Sequence, residues 1–256
     1  MFNLKNKIAI VTGGLGQLGS QYTKALLDAG AKVAVFDIRT DAEKENSENY
    51  ASYKVDITKK SSIKEALDKA VNDLGSPTIL INNAALDAPP NASADENGPF
   101  EDYPESSLDQ TYNVNLKGMI FCCQVIGKHM AENGGGSIIN ISSIYGNVSP
   151  DQRIYEYRNN FYKPVSYSVT KSAVLNLTRY LSTYWAKKGV RVNTLSLGGV
   201  FNGQDEKFLE GYCNKVPLGR MANEDEYNGA VIFLASNASS YVTGSNIIID
   251  GGLTAW

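Results

Sequence analysis

The sequence is poor in the residues that build disulfide frameworks and metal sites. It holds three cysteines and a single histidine among 256 residues. The cysteines (Cys122, Cys123 and Cys213) are odd in number and lack framework spacing, and His129 has no partner histidine. We therefore expect neither structural disulfides nor a bound metal. This composition is typical of a reduced, cytoplasmic protein.

The sequence also lacks long apolar runs and any excess of basic charge. No window approaches the ~20 apolar residues that a membrane span needs, and the apolar run after residues 1–7 is only as long as a strand, so we expect no membrane span and no signal peptide. A net charge of −3 and a pI near 5.3 argue against a nucleic-acid partner. With 43% hydrophobic residues and no linker or repeat, the chain is predicted to form one domain over residues 1–256.

What the sequence does contain is a regular alternation of strand-like and helix-like segments. Such alternation predicts an α/β fold with a doubly wound parallel sheet of about seven strands and helices on both faces. Strands are predicted at 7–12, at 32–36, in a segment that ends at 56, and at 78–81, 137–143, 190–195 and 246–250. One helix is predicted after the first strand, and the others at 61–74, 108–130, 167–185 and 222–235. The apolar stripe of 108–130 places Cys123 in the core. The proline-containing segment 86–104 is long for a connection, which indicates a functional rim, and 198–215 is a polar segment.

The first strand runs into a glycine turn. Gly14-x-Gly16-x-x-Gly19 lies between a buried strand and a helix, which is the spacing and context of a dinucleotide site. Glycines there let the backbone turn sharply and let a pyrophosphate approach the helix start. The second strand ends at Asp37, where a carboxylate can accept both ribose hydroxyls and repel a 2′-phosphate. NAD is therefore favoured over NADP, although Arg39 could accept that phosphate.

A second cluster is predicted around Tyr167 and Lys171. At a spacing of i and i+4 on a helix, the phenol and the ammonium share one face. A neighbouring cation favours the phenolate, which makes the tyrosine a proton donor and acceptor near neutral pH. Ser143, at the end of the preceding strand, could bond the oxygen that gains or loses that proton.

The order of these motifs resembles the short-chain dehydrogenase/reductase family over essentially the whole chain. The matching residues are Thr12-Gly13, Asp56, Asn82-Asn83-Ala84, Asn115, Ser143, Tyr167-x-x-x-Lys171 and Asp250-Gly251-Gly252. The resemblance implies a Rossmann-type fold and a general acid/base at Tyr167. Lys171 would lower its pKa and bind the nicotinamide ribose, Ser143 would hold the substrate oxygen, and Asn115 would support a water-linked proton relay.

The resemblance also implies the residues of the cofactor site. Asp56 and Ile57 would flank the adenine, and Asn83 would lie against the adenosine ribose. The full predicted cofactor set is Gly13, Leu15, Gly16, Gln17, Leu18, Asp37, Asp56, Ile57, Asn83, Ala84, Tyr167, Lys171, Val200 and Asn202.

Some positions depart from the short, 250-residue branch of the family. Gln17 and Ala85 stand where that branch has glycine, and Ser143 and Tyr167 are 24 residues apart, about twice its usual spacing. These features are similar to the extended branch of sugar epimerases and dehydratases and to enzymes of surface-glycan and flagellin-sugar biosynthesis. The length, Asn115 and the last strand are those of the short branch. Leu197 and Asn202 replace the usual proline and threonine after strand six.

The segment between Ser143 and Tyr167 predicts the substrate. It is rich in tyrosine, arginine and asparagine, and Tyr145, Arg153 and Arg158 are the predicted substrate contacts. Aromatic faces suit sugar rings and an arginine suits a phosphate or carboxylate, so we expect a hydroxylated, anionic, sugar-like substrate. In the alternative, this segment is a solvated loop whose tyrosines merely pack down.

The sequence thus predicts an NAD(H)-dependent oxidoreductase that interconverts a hydroxyl and a ketone. A redox-neutral epimerase or dehydratase with bound NAD and a non-catalytic NAD-sensing regulator stay open as alternatives. The resemblance further implies a homotetramer built partly on the last strand and the apolar tail that ends at Trp256, unless Trp256 packs on its own subunit.

Overall fold

The computed structural model describes residues 2–39, 46–87 and 97–256, which form a parallel sheet covered by helices on both faces. The strands are β1 (Ile8–Thr12), β2 (Lys32–Asp37), β3 (Tyr50–Lys54), β4 (Ile79–Asn82), β5 (Gly136–Ser143), β6 (Val190–Leu197) and β7 (Asn246–Ile249). They lie in the order β3-β2-β1-β4-β5-β6-β7, and every pair is parallel. The predicted fold class is confirmed.

The helices follow the strands as the alternating pattern requires. They are α1 (Gln17–Asp28), α2 (Lys60–Asp73), α3 (Glu105–Tyr112), α4 (Met119–Cys122), α5 (Lys128–Glu132), α6 (Val165–Tyr184), α7 (Glu206–Cys213) and α8 (Asn228–Ala235). Two π-helical segments, Asn113–Gly118 and Cys123–Gly127, join α3, α4 and α5 into one continuous rod. No helix of the described ranges is long and apolar enough to cross a membrane.

Successive residues of each strand enter two different cores. Ile10 of β1 packs with α2, α4 and α5 on one face of the sheet, and Val11 packs with α1 and α8 on the other. Such strands are buried on both sides, which is why they read as continuous apolar runs. Cys123 is fully buried in the first core and accepts a hydrogen bond from Asn82, so its predicted core position is confirmed.

Two segments differ from the sequence-based expectation. The polar segment 198–215 contains α7, and the predicted helix 222–235 begins only at Asn228. A third, smaller core (Ile154, Tyr155, Tyr212, Val216 and Met221) joins α7 to the 3₁₀ turn Gln152–Tyr155. Residues 88–96 of the predicted rim lie outside the described residues. All described strands belong to one sheet, and the single-domain assignment for 1–256 stays a prediction.

Candidate active site

A cleft of about 1340 Å³ opens at the carboxyl ends of the strands, where β1 separates β2 from β4. This is the position at which doubly wound sheets bind their ligands. The volume exceeds the ~300–1,000 Å³ that is usual for a pocket that holds one small molecule. We call the part lined by Gly13, Asp37 and Asp56 the coenzyme end. The substrate end is lined by Asp87, Tyr145, Tyr155, Arg158, Phe161, Lys163, Phe208, Tyr212 and Met221.

The glycine turn at the coenzyme end is held in a conformation that side chains would block. Gly13 has φ +62°, and a Cβ there would lie 2.8 Å from the Cα of Ala84. A Cβ on Gly19 would lie 2.1 Å from the Gly13 carbonyl oxygen, which explains why the helix can start so close to the strand. A Cβ on Gly16 would make a less severe contact, at 3.3 Å from the Gly13 carbonyl oxygen, and this residue lines the cleft.

Asn83 fastens this turn. Its Nδ2 donates to the carbonyl oxygens of Thr12 and Gly13, both at 3.1 Å, and its backbone N–H donates to Thr12 Oγ1 at 3.0 Å. The backbone N–H of Ala84 donates to the same hydroxyl at 3.1 Å. Asn83 and Ala84 both line the cleft, as predicted for cofactor residues, but the amide donors of Asn83 are engaged by the turn.

The first turn of α1 suits an anion. Gly16, at the N-cap position just before the helix, provides no side-chain cap, and the first turn carries no acidic residue. The N–H groups at such a helix start bind phosphate. Gln17, the residue that departs from the short-branch glycine, donates from Nε2 to the Phe201 carbonyl at 2.9 Å, so it links the turn to the segment after β6. In that segment Gln204 bonds the carbonyl of Val200 and the N–H of Asn202, which holds both predicted contacts at the cleft.

Asp37 ends β2 and is almost fully buried, at 6% exposure. Its carboxylate accepts the N–H of Leu15 at 3.0 Å and the N–H and Nε of Arg39 at 3.0 and 3.3 Å. The guanidinium that could have bound a 2′-phosphate is thus already paired with a carboxylate.

Asp56 accepts hydrogen bonds from Thr58. Burial raises the pKa of its carboxyl, but these bonds and nearby Lys59 outweigh the effect of burial and lower the pKa. Ile57, Leu18 and Leu15 complete the predicted coenzyme end, and Ile57 and Leu18 line the cleft.

Ser143, Tyr167 and Lys171 meet where the two ends of the cleft join. Ser143 is the last residue of β5, and its hydroxyl lies close enough to that of Tyr167 to lower the pKa of the phenol. Tyr167 lies in the first turn of α6, and the Lys171 Nζ is 5.6 Å from its ring centroid. This Nζ is buried and donates to the Ile141 carbonyl at 3.0 Å. The three predicted residues are therefore brought together.

The electrostatics of this cluster differ from the expectation. Burial raises the pKa of Tyr167 well above its ordinary value, nearby Asp87 raises it further, and the bond from Ser143 lowers it only in part. Burial lowers the pKa of Lys171 to about 8. Burial of the phenol dominates in this chain, and the Lys171 ammonium donates to a carbonyl, so the expected lowering of the Tyr167 pKa by Lys171 stays a prediction.

Asn115 lies in the first π-helical segment and is buried. Its Oδ1 accepts the N–H of Leu86 at 2.7 Å, and its Nδ2 donates to the Leu86 carbonyl at 2.8 Å and to Thr170 Oγ1 at 3.2 Å. The side chain therefore clamps the segment after β4 to α6. The predicted water relay through Asn115 stays a prediction.

Of the three predicted substrate residues, two line the cleft and one does not. Tyr145 lines the substrate end, as does Tyr155, and burial raises the pKa of the Tyr145 phenol. Arg158 also lines it, but its Nη2 lies 2.5 Å from Asp205 and its guanidinium stacks over the Phe161 ring. Arg153 does not line the cleft.

Arg153 was expected to bind substrate, and its position does not support this. The side chain is 77% exposed, and Nε and Nη2 each bind Asp151 at 2.8 Å. This pairing cannot be read from the sequence, since every carboxylate in a loop is a possible partner. Sequence reasoning also missed Asp87 and Lys163 as an interacting pair; the signal available was a carboxylate just beyond β4.

Within the described ranges, no group of three His, Cys, Asp or Glu side chains is placed to hold a metal ion.

Comparison with known proteins agrees with this geometry. Residues 16–254 match the family model described as "Enoyl-(Acyl carrier protein) reductase". An "NAD-dependent glycerol dehydrogenase" of Listeria innocua is 31% identical over 99% of this chain and 96% of its own length.

Solved structures are similar end to end. A short-chain dehydrogenase of Leptospira borgpetersenii with bound NAD⁺ is 36% identical, with a TM-score of 0.88 over 98% of this chain and 94% of its own. A gluconate 5-dehydrogenase of Burkholderia cenocepacia in complex with NADP and tartrate is 27% identical, with a TM-score of 0.82 over 100% of this chain and 98% of its own. The fold and site define a nucleotide-dependent oxidoreductase. The chain belongs to the short-chain dehydrogenase/reductase family, which confirms the predicted resemblance.

Proposed function

We propose that this protein transfers a hydride reversibly between NAD(H) and a secondary hydroxyl or ketone of a sugar or polyol. The observation that carries the proposal is the Ser143–Tyr167–Lys171 cluster, which opens into the cleft beside a glycine turn and an uncapped helix start. Relatives whose names give glycerol and gluconate as substrates support the substrate class.

In the proposed reaction, Tyr167 moves the proton. Its hydroxyl gives a proton to the carbonyl oxygen during reduction, and the phenolate takes it back during oxidation. Ser143 hydrogen-bonds the same substrate oxygen and thereby orients it. The buried ammonium of Lys171 holds positive charge beside the phenol, which stabilises the phenolate when it forms. Bound NAD(H) would accept or supply the hydride.

We propose NAD rather than NADP as the cofactor. The buried Asp37 carboxylate lies where a ribose is expected and where it would repel a 2′-phosphate, and it holds the Arg39 guanidinium through Nε at 3.3 Å. The N–H groups at the start of α1 would hold the pyrophosphate, and Asp56 and Ile57 would flank the adenine. One similar structure carries NAD⁺ and another NADP, so the argument for NAD depends on Asp37 of this chain.

We further propose a homotetramer. The proposal rests on the family resemblance and on exposed apolar groups at this edge, since Ile248 of the edge strand β7 and Trp256 are 43% and 82% exposed. The Trp256 Nε1 also donates to the Lys215 carbonyl of its own chain at 3.3 Å. The cytoplasmic location stays a prediction from the free cysteines.

The test compares the unaltered protein with Tyr167→Phe in an NADH absorbance assay over a panel of alditols, ketoses and simple alcohols. Tyr167→Phe removes the hydroxyl and leaves the ring, so NADH binding should persist while turnover falls by ~10²–10⁴. Tyr180→Phe is the matched control, because Tyr180 lies on the same helix and is 63% exposed. Equal turnover of both variants contradicts the proposal. Conversion of a sugar without net NADH change would instead indicate an epimerase or dehydratase, and NADH binding without any conversion a sensor.

A further inference from the structure

Asp87 and Lys163 form an ion pair at the substrate end of the cleft. The Lys163 Nζ lies 2.5 Å from Asp87 Oδ1 and 5.0 Å from the centroid of the Tyr167 ring. The two side chains differ in access, since Asp87 is 64% exposed and Lys163 only 13%. Among the described residues the carboxylate is paired through Oδ1 alone, and Asp87 lines the cleft. The ammonium is the more buried partner and lies close to the ring of the proposed acid/base.

Both members of the pair are fixed by amide side chains that clamp the backbone. Asn115 bonds the N–H and the carbonyl of Leu86, the residue before Asp87. Gln152 does the same for Lys163, accepting its N–H at 2.9 Å and donating to its carbonyl at 3.3 Å. Two loop residues are therefore positioned before any substrate arrives, which reduces the ordering cost of binding.

The charges of the substrate end do not favour an anion. Arg158 is paired with Asp205, and Lys163 with Asp87. The more exposed group of the second pair is the carboxylate, which repels an anionic substrate. The sequence had predicted an anionic substrate from Arg153 and Arg158, but both guanidinium groups are neutralised by carboxylates of this chain.

A wall of aromatic rings lines the same end. Tyr155 packs against Phe161 and Phe208 with ring centroids 5.2 and 5.6 Å apart, and Phe208 stacks on Tyr212 at 5.6 Å. All four rings line the cleft. Ring faces bind the carbon side of a sugar, whereas an ion pair binds its hydroxyls. The substrate end therefore combines apolar ring faces with charged groups, just as a polyol combines a carbon chain with hydroxyl groups.

From these contacts we propose that the Asp87–Lys163 pair determines specificity by binding two neighbouring hydroxyl groups of a neutral polyol or hydroxyketone. One hydroxyl donates to Oδ2 of Asp87, and the next accepts from Lys163, so that the adjoining carbon is presented to Tyr167. Neighbouring hydroxyl oxygens of a sugar are separated by about the distance of a contact ion pair, so one diol can engage both groups. The inference rests on the proposed function, whose substrate class it narrows.

The kinetic test uses Asp87→Asn and Lys163→Met. Substrates are the pentitols (xylitol, ribitol and D- and L-arabinitol) and 3-pentanol, which keeps five carbons and one secondary hydroxyl but lacks the neighbouring hydroxyls. Each variant should lower kcat/KM for the best pentitol by about 10- to 100-fold, as expected when one hydrogen bond to a charged group is lost. The preference for that pentitol over 3-pentanol should fall by a similar factor. Asp28→Asn is the matched control, since it removes the carboxylate of an exposed Lys–Asp pair on α1.

A binding test separates this inference from the proposed function. In a Tyr167→Phe background saturated with NAD⁺, where turnover is blocked, Asp87→Asn should raise the pentitol Kd about 10- to 100-fold. This result supports the pair even if the unaltered protein oxidises none of the pentitols. Unchanged Kd values overturn it. An equal loss for pentitols and 3-pentanol overturns it too, because the pair would then act on Tyr167 and not on recognition. Tighter binding of D-gluconate than of every pentitol would show an anion site instead.

Discussion

Replacing Lys171 by methionine should make the protein more stable while removing its activity. The Lys171 side chain is 3% exposed, and burial lowers its pKa from 10.5 to about 8. This difference corresponds to about 3 kcal/mol of unfavourable charge burial, at about 1.36 kcal/mol per pH unit. The variant loses the bond from Nζ to the Ile141 carbonyl, which offsets about 1 kcal/mol. We therefore expect Lys171→Met to raise the free energy of unfolding by about 2 kcal/mol near pH 7.

The stability difference between Lys171→Met and the unaltered protein should depend on pH. Below pH 8 the lysine is charged in the folded and the unfolded chain, so the cost of burying the charge is fully present. Between pH 8 and 10.5 the unfolded chain binds a proton that the folded chain does not, so the stability of the unaltered protein rises relative to the variant. The advantage of Lys171→Met should thus be largest below pH 8 and shrink as pH rises toward 10.5.

The assay is urea unfolding at a fixed chain concentration, followed by tryptophan fluorescence from about pH 7 to about pH 10. Lys24→Met is the control, because Lys24 pairs with Asp28 on the surface of α1 and its loss should change stability by less than about 0.5 kcal/mol. A variant less stable than the unaltered protein at pH 7, or a difference that does not depend on pH, would refute the reasoning. Either result would mean that the buried ammonium is compensated by its surroundings.

Two further predictions concern the cofactor and the assembly. NADH should bind at least about tenfold more tightly than NADPH, or ~1.4 kcal/mol, in calorimetric titrations. Asp37→Ala should narrow this gap, since it removes the carboxylate and frees Arg39; equal dissociation constants in the unaltered protein would show that Arg39 governs the site. A chain that ends at Gly252 should form a smaller species in light scattering, because it lacks the exposed Trp256, and an unchanged mass would exclude a role of the tail in assembly.

The fold could be predicted because its signals are local. Strands buried on both faces give unbroken apolar runs, and helices give a stripe, so the sheet and most helices follow from periodicity alone. Helix α7 was missed because only part of its surface is buried, against the 3₁₀ turn Gln152–Tyr155. Such a segment looks polar until its partner is known.

The candidate site was predictable where backbone and spacing determine it. Gly13 and Gly19 are required by close contacts, and Tyr167 and Lys171 by one helical turn. Ion pairing followed no such rule. Arg153 binds a carboxylate two positions away, whereas Lys163 binds Asp87, which is distant in the sequence. The choice between these partners depends on tertiary contacts that a sequence does not display.

The same contacts explain the long spacing between Ser143 and Tyr167. Its similarity to the extended branch of the family suggested an epimerase-like site. In the structure, the additional residues fold back as the turn Gln152–Tyr155, pack on α7 and place Tyr155 and Lys163 in the cleft. The Gln152 side chain hydrogen-bonds the backbone of Lys163 and thereby links this turn to the residues just before α6. The spacing therefore accommodates a segment that packs on α7 and lines the cleft.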